Sequence, residues 1–196
     1  MIKGLIFDLD GTLVRLPIRY NLIQENLKTF FQTKEEFKPL IPSIIDKSSG
    51  NSLKIKNAFQ SLCKEETLAA KNLEIISDAK NILEYFKSKN YLLGLITMQC
   101  KKAAKIAISK LDLPENFFLN IISRDESYDR LEQIQKTIQI FNLNPNEILV
   151  VGDRIYDIES AKKAGCHCIL SNSEKIGKYN GCRIISTLSE LREINF

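Results

Sequence analysis

The chain opens with a short apolar run that leads directly into two carboxylates and a turn. Residues 4–7 read Gly-Leu-Ile-Phe, and Asp8, Asp10 and Gly11 follow. A continuous apolar run is typical of a buried strand in a parallel sheet, and Asp-Gly predicts a turn. Two acids at the end of such a strand repel each other unless a cation lies between them. The segment alone is compatible with a polar turn or with a ligand site at the carboxyl end of a sheet.

Strands and helices alternate through most of the remaining chain. Further buried strands are predicted at residues 91–96, 117–122 and 148–151, and shorter ones at 165–170 and 184–185. The spacing of apolar residues predicts helices over 77–87, 101–111, 131–141, 157–164 and 188–194. This alternation predicts an α/β fold, with a Rossmann-like parallel sheet core and helices on both of its faces.

Residues 18–73 interrupt the alternation with helical patterns and no convincing strand. Pro39 and Pro42 break the helical spacing, and residues 48–52 carry loop signals. We therefore predict a small inserted helical cap over residues 15–76, while residues 1–14 and 77–196 form the core. The linkers near residues 15–17 and 75–77 are the expected hinges.

Composition limits the range of partners. The net charge of +4 is small and Lys and Glu interleave, so no nucleic-acid partner is expected. No apolar run reaches transmembrane length, and a core strand begins at residue 2, so neither a membrane partner nor a signal peptide is expected. The odd number of five cysteines favours reduced thiols and a cytoplasmic location.

The tract Cys166-His167-Cys168 has the residue types of a metal site, but no second ligand pair lies at zinc spacing. It falls within a predicted strand, in which both thiols share one face and His167 lies on the other. We interpret the two cysteines as buried structural residues.

Polar side chains follow three of the predicted strands at the point where each strand ends. They are Asp8 and Asp10, then Thr97, then Asp153 with Asp157 one helical turn beyond it. Because the carboxyl ends of parallel strands meet at one edge of a sheet, these groups are expected to converge. Carboxylate oxygens with few cysteines or histidines suit Mg²⁺, which typically holds phosphate oxygens. The pattern indicates phosphoryl transfer with one Asp as a covalent nucleophile.

These motifs resemble those of the haloacid dehalogenase superfamily, in particular phosphoglycolate phosphatase-like members with a helical cap. The resemblance rests on Asp-Leu-Asp-Gly-Thr at residues 8–12, on the Thr that ends the next core strand, and on Gly-Asp-Arg-Ile-Tyr-Asp at residues 152–157. It implies that Asp8 is the nucleophile and that Asp10 protonates the leaving oxygen and then activates water. It also implies a Mg²⁺ site formed by Asp8, the backbone carbonyl of Asp10, Asp153 and Asp157. The substrate phosphate is expected to contact Gly11, Thr12, Thr97 and Met98.

The chain departs from the family pattern where a Lys is expected about 25 residues before the metal Asp, since no Lys occurs between Lys110 and Lys136. A cation is needed there to neutralise Asp8 and the phosphoryl group. Arg130 is the first candidate and Arg124 the second, because Arg can bind phosphate through two hydrogen bonds. The alternative is that either one is a surface arginine paired with Asp125 or Asp129.

A second departure lies in the linker after the first motif, where many relatives carry an acid and this chain has Arg15. Arg15 and Arg19 are candidates for binding a second anionic group of the substrate, and a solvated linker is an equal alternative. The sequence as a whole predicts a Mg²⁺-dependent phosphatase for a small phosphorylated metabolite, acting as a monomer or homodimer. The alternatives are a phosphomutase of the β-phosphoglucomutase kind and a non-catalytic binding protein with the same fold.

Overall fold

The computed structural model describes residues 1–171, 178–179 and 181–194. The predicted core segment 77–196 therefore includes residues 172–177, 180, 195 and 196, which lie outside the described part of the chain.

A seven-stranded sheet forms the centre of the molecule. The strands of the chain are β1 (Gly4–Asp8), β2 (Val14–Arg15), β3 (Glu74–Ile75), β4 (Leu92–Ile96), β5 (Asn120–Ile122), β6 (Ile148–Gly152), β7 (His167–Ser171), β8 (Lys178–Tyr179) and β9 (Cys182–Ile185). The order in the sheet is β5-β4-β1-β6-β7-β9-β8, and each neighbouring pair is parallel except β8 and β9. β1 is therefore central, with β4 on one side and β6 on the other.

Helices cover this sheet on both faces. The helices of the chain are α1 (Tyr20–Phe31), α2 (Leu40–Lys47), α3 (Ser52–Lys71), α4 (Ala79–Ser88), α5 (Lys101–Lys110), α6 (Arg130–Phe141) and α7 (Ile155–Lys163), with short 3₁₀ helices at Pro145–Glu147 and Leu188–Glu193. Those on the sheet faces include α4 and α5 on one side and α6 and α7 on the other. Successive side chains of β1 point to opposite faces: Leu5 and Phe7 share a buried cluster with α4 and α5, whereas Ile6 shares one with α6 and α7. The predicted Rossmann-like fold is confirmed.

Two of the predicted elements differ clearly from the structure, one in where it begins and one in its type. The third core strand begins at Asn120, because Phe117 and Phe118 turn into the cluster beside α4 before the chain enters the sheet. The last predicted helix is a 3₁₀ helix. The helix before Gly165 ends as predicted, since Gly165 has a φ of 80° and occupies the position just after the C-cap Ala164.

The inserted segment consists of α1, α2 and α3 and contributes no strand to the main sheet among its described residues. These helices share a separate buried cluster, to which Ile23, Leu27, Phe37, Ile44 and Leu62 belong. The chain enters and leaves the segment through β2 and β3, which pair antiparallel as a two-stranded ribbon. The ribbon was not predicted, because two residues per strand carry no readable periodicity.

The second half of α3 packs on the core, since Ala69 and Ala70 belong to the cluster beside α4 and α5. This packing brings Cys63 of α3 next to Cys100, the N-cap of α5, with a Cα–Cα distance of 5.5 Å, and the two form a disulfide. The expectation that all cysteines are reduced is therefore wrong for this pair.

The predicted orientation of the other cysteine tract is confirmed. Cys166 and Cys168 pack into the same cluster, whereas His167 is exposed. Among the described residues, none of the helices has the length and apolar character needed to cross a bilayer.

Candidate active site

Three neighbouring strands bring the predicted site residues together. Asp8 ends β1 and pairs with Ile96, so that Thr97 follows at the same edge of the sheet. On the other side Phe7 pairs with Val151, and Asp153 follows the last residue of β6. The parallel register thus places residues that are far apart in sequence at one edge, where ligands of open α/β sheets bind.

Asp8, Asp153 and Asp157 form the acidic centre of this edge. One carboxylate oxygen from each of the three residues lies within 4.8 Å of the other two. The backbone N–H of Arg154 donates to Asp157 at 3.0 Å, which orients that carboxylate at the start of α7. Gly11 closes the site, because a Cβ at this position would lie 2.1 Å from Asp153 Oδ2 and its φ is 91°.

The carboxylates strongly influence one another. Burial raises the pKa of Asp8 well above its usual range, Arg130 opposes this, and Asp157 and Asp153 add to it. Burial and then the charge of Asp157 raise the pKa of Asp153 to about 6. Both shifts reflect the cost of placing several negative charges in a poorly solvated site.

A hard divalent cation fits this set of residues. All three donors are carboxylate oxygens, and Asp153 Oδ1 is buried without a hydrogen-bond partner in the described part of the chain. A bound Mg²⁺ would satisfy that oxygen and offset the repulsion that raises the pKa values.

Arg130 lies inside the acidic centre and is buried. Its Nη2 donates to Asp8 Oδ1 at 2.7 Å, and its Nε lies 3.0 Å from Asp157 Oδ1. Burial lowers the pKa of this guanidinium, but Asp157 and Asp8 outweigh that effect, so the net pKa is raised. Gln133 orients this arginine, because its Oε1 accepts a hydrogen bond from Arg130 Nη1. Its Nε2 donates to the carbonyl of Thr97 at 2.9 Å.

Arg124, the second candidate cation, has a different partner. Its Nη1 and Nη2 donate to Glu66 of α3 at 2.5 and 2.9 Å, and Nη1 also donates to the carbonyl of Met98. Both side chains of the ion pair are buried, and the guanidinium lies over the ring of Phe59. Neither arginine pairs with Asp125 or Asp129 among the described contacts, so both differ from the surface arginines of the alternative interpretation.

Asp10 connects the acidic centre to the inserted segment. Its Oδ1 accepts from the backbone N–H of Leu16 at 2.9 Å, and Gln99 Nε2 lies 3.4 Å from its Oδ2. Burial raises the pKa of Asp10, while the Leu16 hydrogen bond and Arg154 oppose the increase. A raised pKa suits a carboxyl group that donates a proton near neutral pH.

A cavity of about 300 Å³ lies between this edge of the sheet and the inserted helices. The floor of this cavity, at the edge of the sheet, is lined by Asp8, Asp10, Thr97, Met98, Arg124 and Arg130. Thr97 is nearly fully buried, and its Oγ1 accepts from the backbone N–H of Gln99 at 3.1 Å.

Some predicted site residues are not brought to the cavity. Thr12 is fully buried and does not line it, and Arg15 lies exposed in the β2–β3 ribbon. The substrate-binding roles of Thr12 and Arg15 stay predictions. Arg19 forms two hydrogen bonds with Glu65 on the surface of the inserted helices. Gly11 is close to the acidic centre but does not line the cavity.

Other residues of the site were missed by reasoning from sequence. Gln99 and Glu66 line the cavity, as do three tyrosines, Tyr20, Tyr128 and Tyr156. Glu66 had a readable signal, since it lies one helical turn after Cys63 and one before Ala70 on the apolar face of α3. The tyrosines come from three separate segments, and nothing in the linear pattern indicates that they meet.

The fold and the site define an α/β enzyme with an acidic centre at the carboxyl ends of its central strands. Residues 5–171 match the family model of the haloacid dehalogenase-like hydrolases. The chain therefore belongs to this family and is a hydrolase, as the motifs in its sequence predicted.

The chain is also similar to several known proteins. The pyrophosphatase PpaX of Bacillus thuringiensis (strain Al Hakam) is 25% identical over 176 residues, which is 84% of this chain and 80% of that protein. CbbY from Rhodobacter sphaeroides, solved in complex with phosphate, has a TM-score of 0.73 at 16% identity and covers 97% of this chain and 96% of its own. A predicted phosphoglycolate phosphatase from Haemophilus somnus 129PT has a TM-score of 0.67 at 19% identity, with 98% and 97% covered. These two structures show that the fold of this chain is similar to theirs.

Proposed function

We propose that this hydrolase is a Mg²⁺-dependent phosphatase that hydrolyses a small phosphomonoester through an aspartyl-phosphate intermediate. The observation that carries the proposal is the contact of Arg130 with both Asp8 and Asp157 inside a cluster of three acids. A buried cation among acids at a cavity floor suits the binding of a dianionic phosphoryl group beside a carboxylate nucleophile. The phosphatase and pyrophosphatase names of relatives support the same chemistry.

In the first step a carboxylate oxygen of Asp8 attacks phosphorus, and the bond between phosphorus and the ester oxygen breaks. The leaving oxygen takes a proton from the carboxyl group of Asp10, whose raised pKa favours the protonated form. The products of this step are the free alcohol and an aspartyl phosphate on Asp8.

In the second step the Asp10 carboxylate takes a proton from a water molecule, whose oxygen attacks phosphorus. The acyl phosphate bond breaks, which restores Asp8 and releases inorganic phosphate. Arg130 and the Thr97 hydroxyl stabilise the charge that develops on the phosphoryl oxygens in both steps. Mg²⁺ held by Asp8, the Asp10 carbonyl, Asp153 and Asp157 would neutralise phosphate charge when bound.

The inserted segment is part of the same proposal. We assign residues 15–76 as a cap that covers the cavity and excludes water, while residues 1–14 and 77–196 form the catalytic core. We also propose that the enzyme is cytoplasmic and acts as a monomer or a homodimer. Pyrophosphate is the second candidate substrate, because the relative from Bacillus thuringiensis is named a pyrophosphatase.

Release of inorganic phosphate from p-nitrophenyl phosphate, small metabolite phosphates and pyrophosphate tests the proposal directly. We expect turnover with Mg²⁺, none after chelation by EDTA, and transient labelling of the protein by ³²P. Asp8→Asn should reduce turnover by about a thousandfold or more and abolish the labelling. Asp46→Asn, which makes the same change on the exposed surface of α2, is the matched control. Full turnover in EDTA, or in Asp8→Asn, would contradict the proposal.

A further inference from the structure

The wall of the cavity that faces the acidic centre is apolar. The inserted segment contributes to this wall the side chains of Ile18, Ile23, Pro39, Leu40, Ile41 and Pro42. The phosphoryl group binds at the floor in the proposed reaction, so the leaving group is the part of the substrate that meets this wall. Binding is stabilised when an apolar leaving group is buried against an apolar wall. A charged leaving group would lose its hydration there without gaining a polar partner.

Two of the three arginines that line the cavity are buried in close ion pairs. Arg130 contacts Asp8 and Asp157, and Arg124 is held by Glu66. The third, Arg154, is exposed, and its Nε lies 4.0 Å from Asp153 Oδ2. Among the described lining residues, the four acids Asp8, Asp10, Glu66 and Asp157 face these three arginines.

This balance leaves little positive charge for a second anionic group. A dianionic phosphoryl group and one Mg²⁺ cancel each other in formal charge. With Asp10 protonated, as the first step requires, the three remaining acids of the lining balance the three arginines. A carboxylate or a second phosphate on the leaving group would meet the apolar wall, and both buried arginines are already held by acids.

Three tyrosines add aromatic surface to the same cavity. Tyr20, Tyr128 and Tyr156 are 44%, 45% and 49% exposed, and all three line the cavity. Tyr128 is held in place by an edge-to-face contact with Phe59, whose centroid lies 5.8 Å away. Half-exposed aromatic rings around a cavity bind apolar groups and keep their hydroxyls in water. The volume of about 300 Å³ is at the lower end of small-molecule sites, which limits the size of the leaving group.

We propose that the enzyme selects phosphomonoesters whose leaving group is small, uncharged and apolar, because the inserted segment gives the cavity an apolar wall. The inference rests on the proposed phosphatase function and narrows its substrate class. It favours phosphomonoesters over pyrophosphate, the second candidate substrate of the proposed function, and places dicarboxylic or bisphosphorylated metabolites among the poor substrates, because their leaving groups carry charge.

A matched pair of substrates tests the selectivity. Hexyl phosphate and 6-(phosphonooxy)hexanoate differ only in a terminal carboxylate, which is too far from the ester oxygen to change its reactivity much. We expect kcat/KM to be at least about tenfold higher for hexyl phosphate at saturating Mg²⁺. Among ethyl, butyl and hexyl phosphates, kcat/KM should rise with chain length until the cavity is full.

Variants of α2 test the role of the wall. Ile41→Arg adds a cation to the cavity and should remove or reverse the preference for hexyl phosphate. Ile45→Arg is the matched control, since Ile45 lies one turn further on the same helix, is half-buried and does not line the cavity. Tyr128→Lys is a second variant at a half-exposed position and keeps the test available if Ile41→Arg does not fold.

The possible results separate this inference from the proposed function. Hydrolysis of neither ester by an enzyme that still hydrolyses p-nitrophenyl phosphate would overturn the selectivity, whereas no phosphate release from any of these esters would contradict the phosphatase itself. Hydrolysis of both esters with equal efficiency, or a preference for the carboxylate, would leave the phosphatase standing and overturn the selectivity. Equal effects of Ile41→Arg and Ile45→Arg would show that the apolar wall does not set the preference.

Discussion

At the level of single residues, Arg130 shows how one cation can satisfy two acids in a buried site. Its Nη2 and Nε reach Asp8 and Asp157 from the first turn of α6. Gln133, one turn later on the same helix, fixes the guanidinium and the Thr97 carbonyl together. The side chain is thus held in position before substrate binds, which is what an electrostatic catalyst requires.

Replacement of Arg130 by Ala should reduce turnover by about a hundredfold or more at saturating Mg²⁺, because the phosphoryl charge loses a preorganised partner. The variant also leaves buried acids without their cation, at a cost of about 3–5 kcal/mol in the free energy of unfolding. Turnover should therefore be measured on protein shown to be folded by circular dichroism. Arg130→Lys should recover part of the activity, and Arg183→Ala, an exposed arginine of β9, is the control. Near-normal turnover of folded Arg130→Ala would exclude the role.

The acidic centre should bind Mg²⁺ in competition with protons. The pKa of Asp153 is raised to about 6 by burial and Asp157, so this group takes up a proton as the pH falls through that value. A proton must leave before the cation binds, and Mg²⁺ affinity should therefore weaken below about pH 6. Isothermal titration with Mg²⁺ at about pH 7.5 and pH 5.5 measures this. Asp153→Asn should bind weakly at both values, and a wild-type affinity that does not change with pH would contradict the prediction.

At the level of elements, α3 joins the inserted segment to the core. Its first half packs with α1 and α2, and its second half packs against α5. Two contacts fix α3 to the core, namely the buried Glu66–Arg124 ion pair and the Cys63–Cys100 disulfide. Glu66 also accepts from the backbone N–H of Cys100 at 2.9 Å, so one carboxylate caps α5 and pairs with the arginine.

Reduction of the disulfide should lower the free energy of unfolding. The bond closes a sequence separation of 37 residues, for which loop entropy gives about 4 kcal/mol as an upper value. Urea unfolding with and without a dithiol reductant measures the difference. Cys63→Ser should be as unstable as the reduced wild type and should not respond to the reductant, whereas Cys182→Ser should still respond. Alkylation of all five cysteines in unreduced, denatured wild type would show that the bond is absent.

The elements differ in how far the sequence predicts them. The strands of the sheet core are predicted by their apolar runs, and α6 by the helical spacing of its apolar residues. The convergence of Asp8, Thr97 and Asp153 is predicted because the carboxyl ends of parallel strands meet at one edge of the sheet. Glu66 and Cys63 were not assigned, because their partners Arg124 and Cys100 are 58 and 37 residues away and no local pattern links them. Contacts that depend on how the inserted helices sit on the core are not encoded in local periodicity.

At the level of the whole molecule, the cavity is built from two parts of the chain that meet only in three dimensions. Its floor comes from the ends of β1 and β4, and its opposite wall from residues 18–23 and 39–42. If the inserted segment acts as a cap, a ligand at the floor must also alter the wall, because the bound group excludes water from both.

Hydrogen exchange with Mg²⁺ and orthovanadate, a phosphate analogue, tests this coupling. We expect slower amide exchange in the loops after β1 and β4, and also at the start of α1 and around the start of α2, because both surfaces become less accessible. The second half of α3 should change little, since Ala69 and Ala70 are already buried against the core. Orthovanadate without Mg²⁺ is the control and should protect neither part if the cation is needed to hold the anion. Protection limited to the strand ends would show that the inserted helices take no part in binding the phosphoryl group, and the assignment of residues 15–76 as a cap would then be wrong.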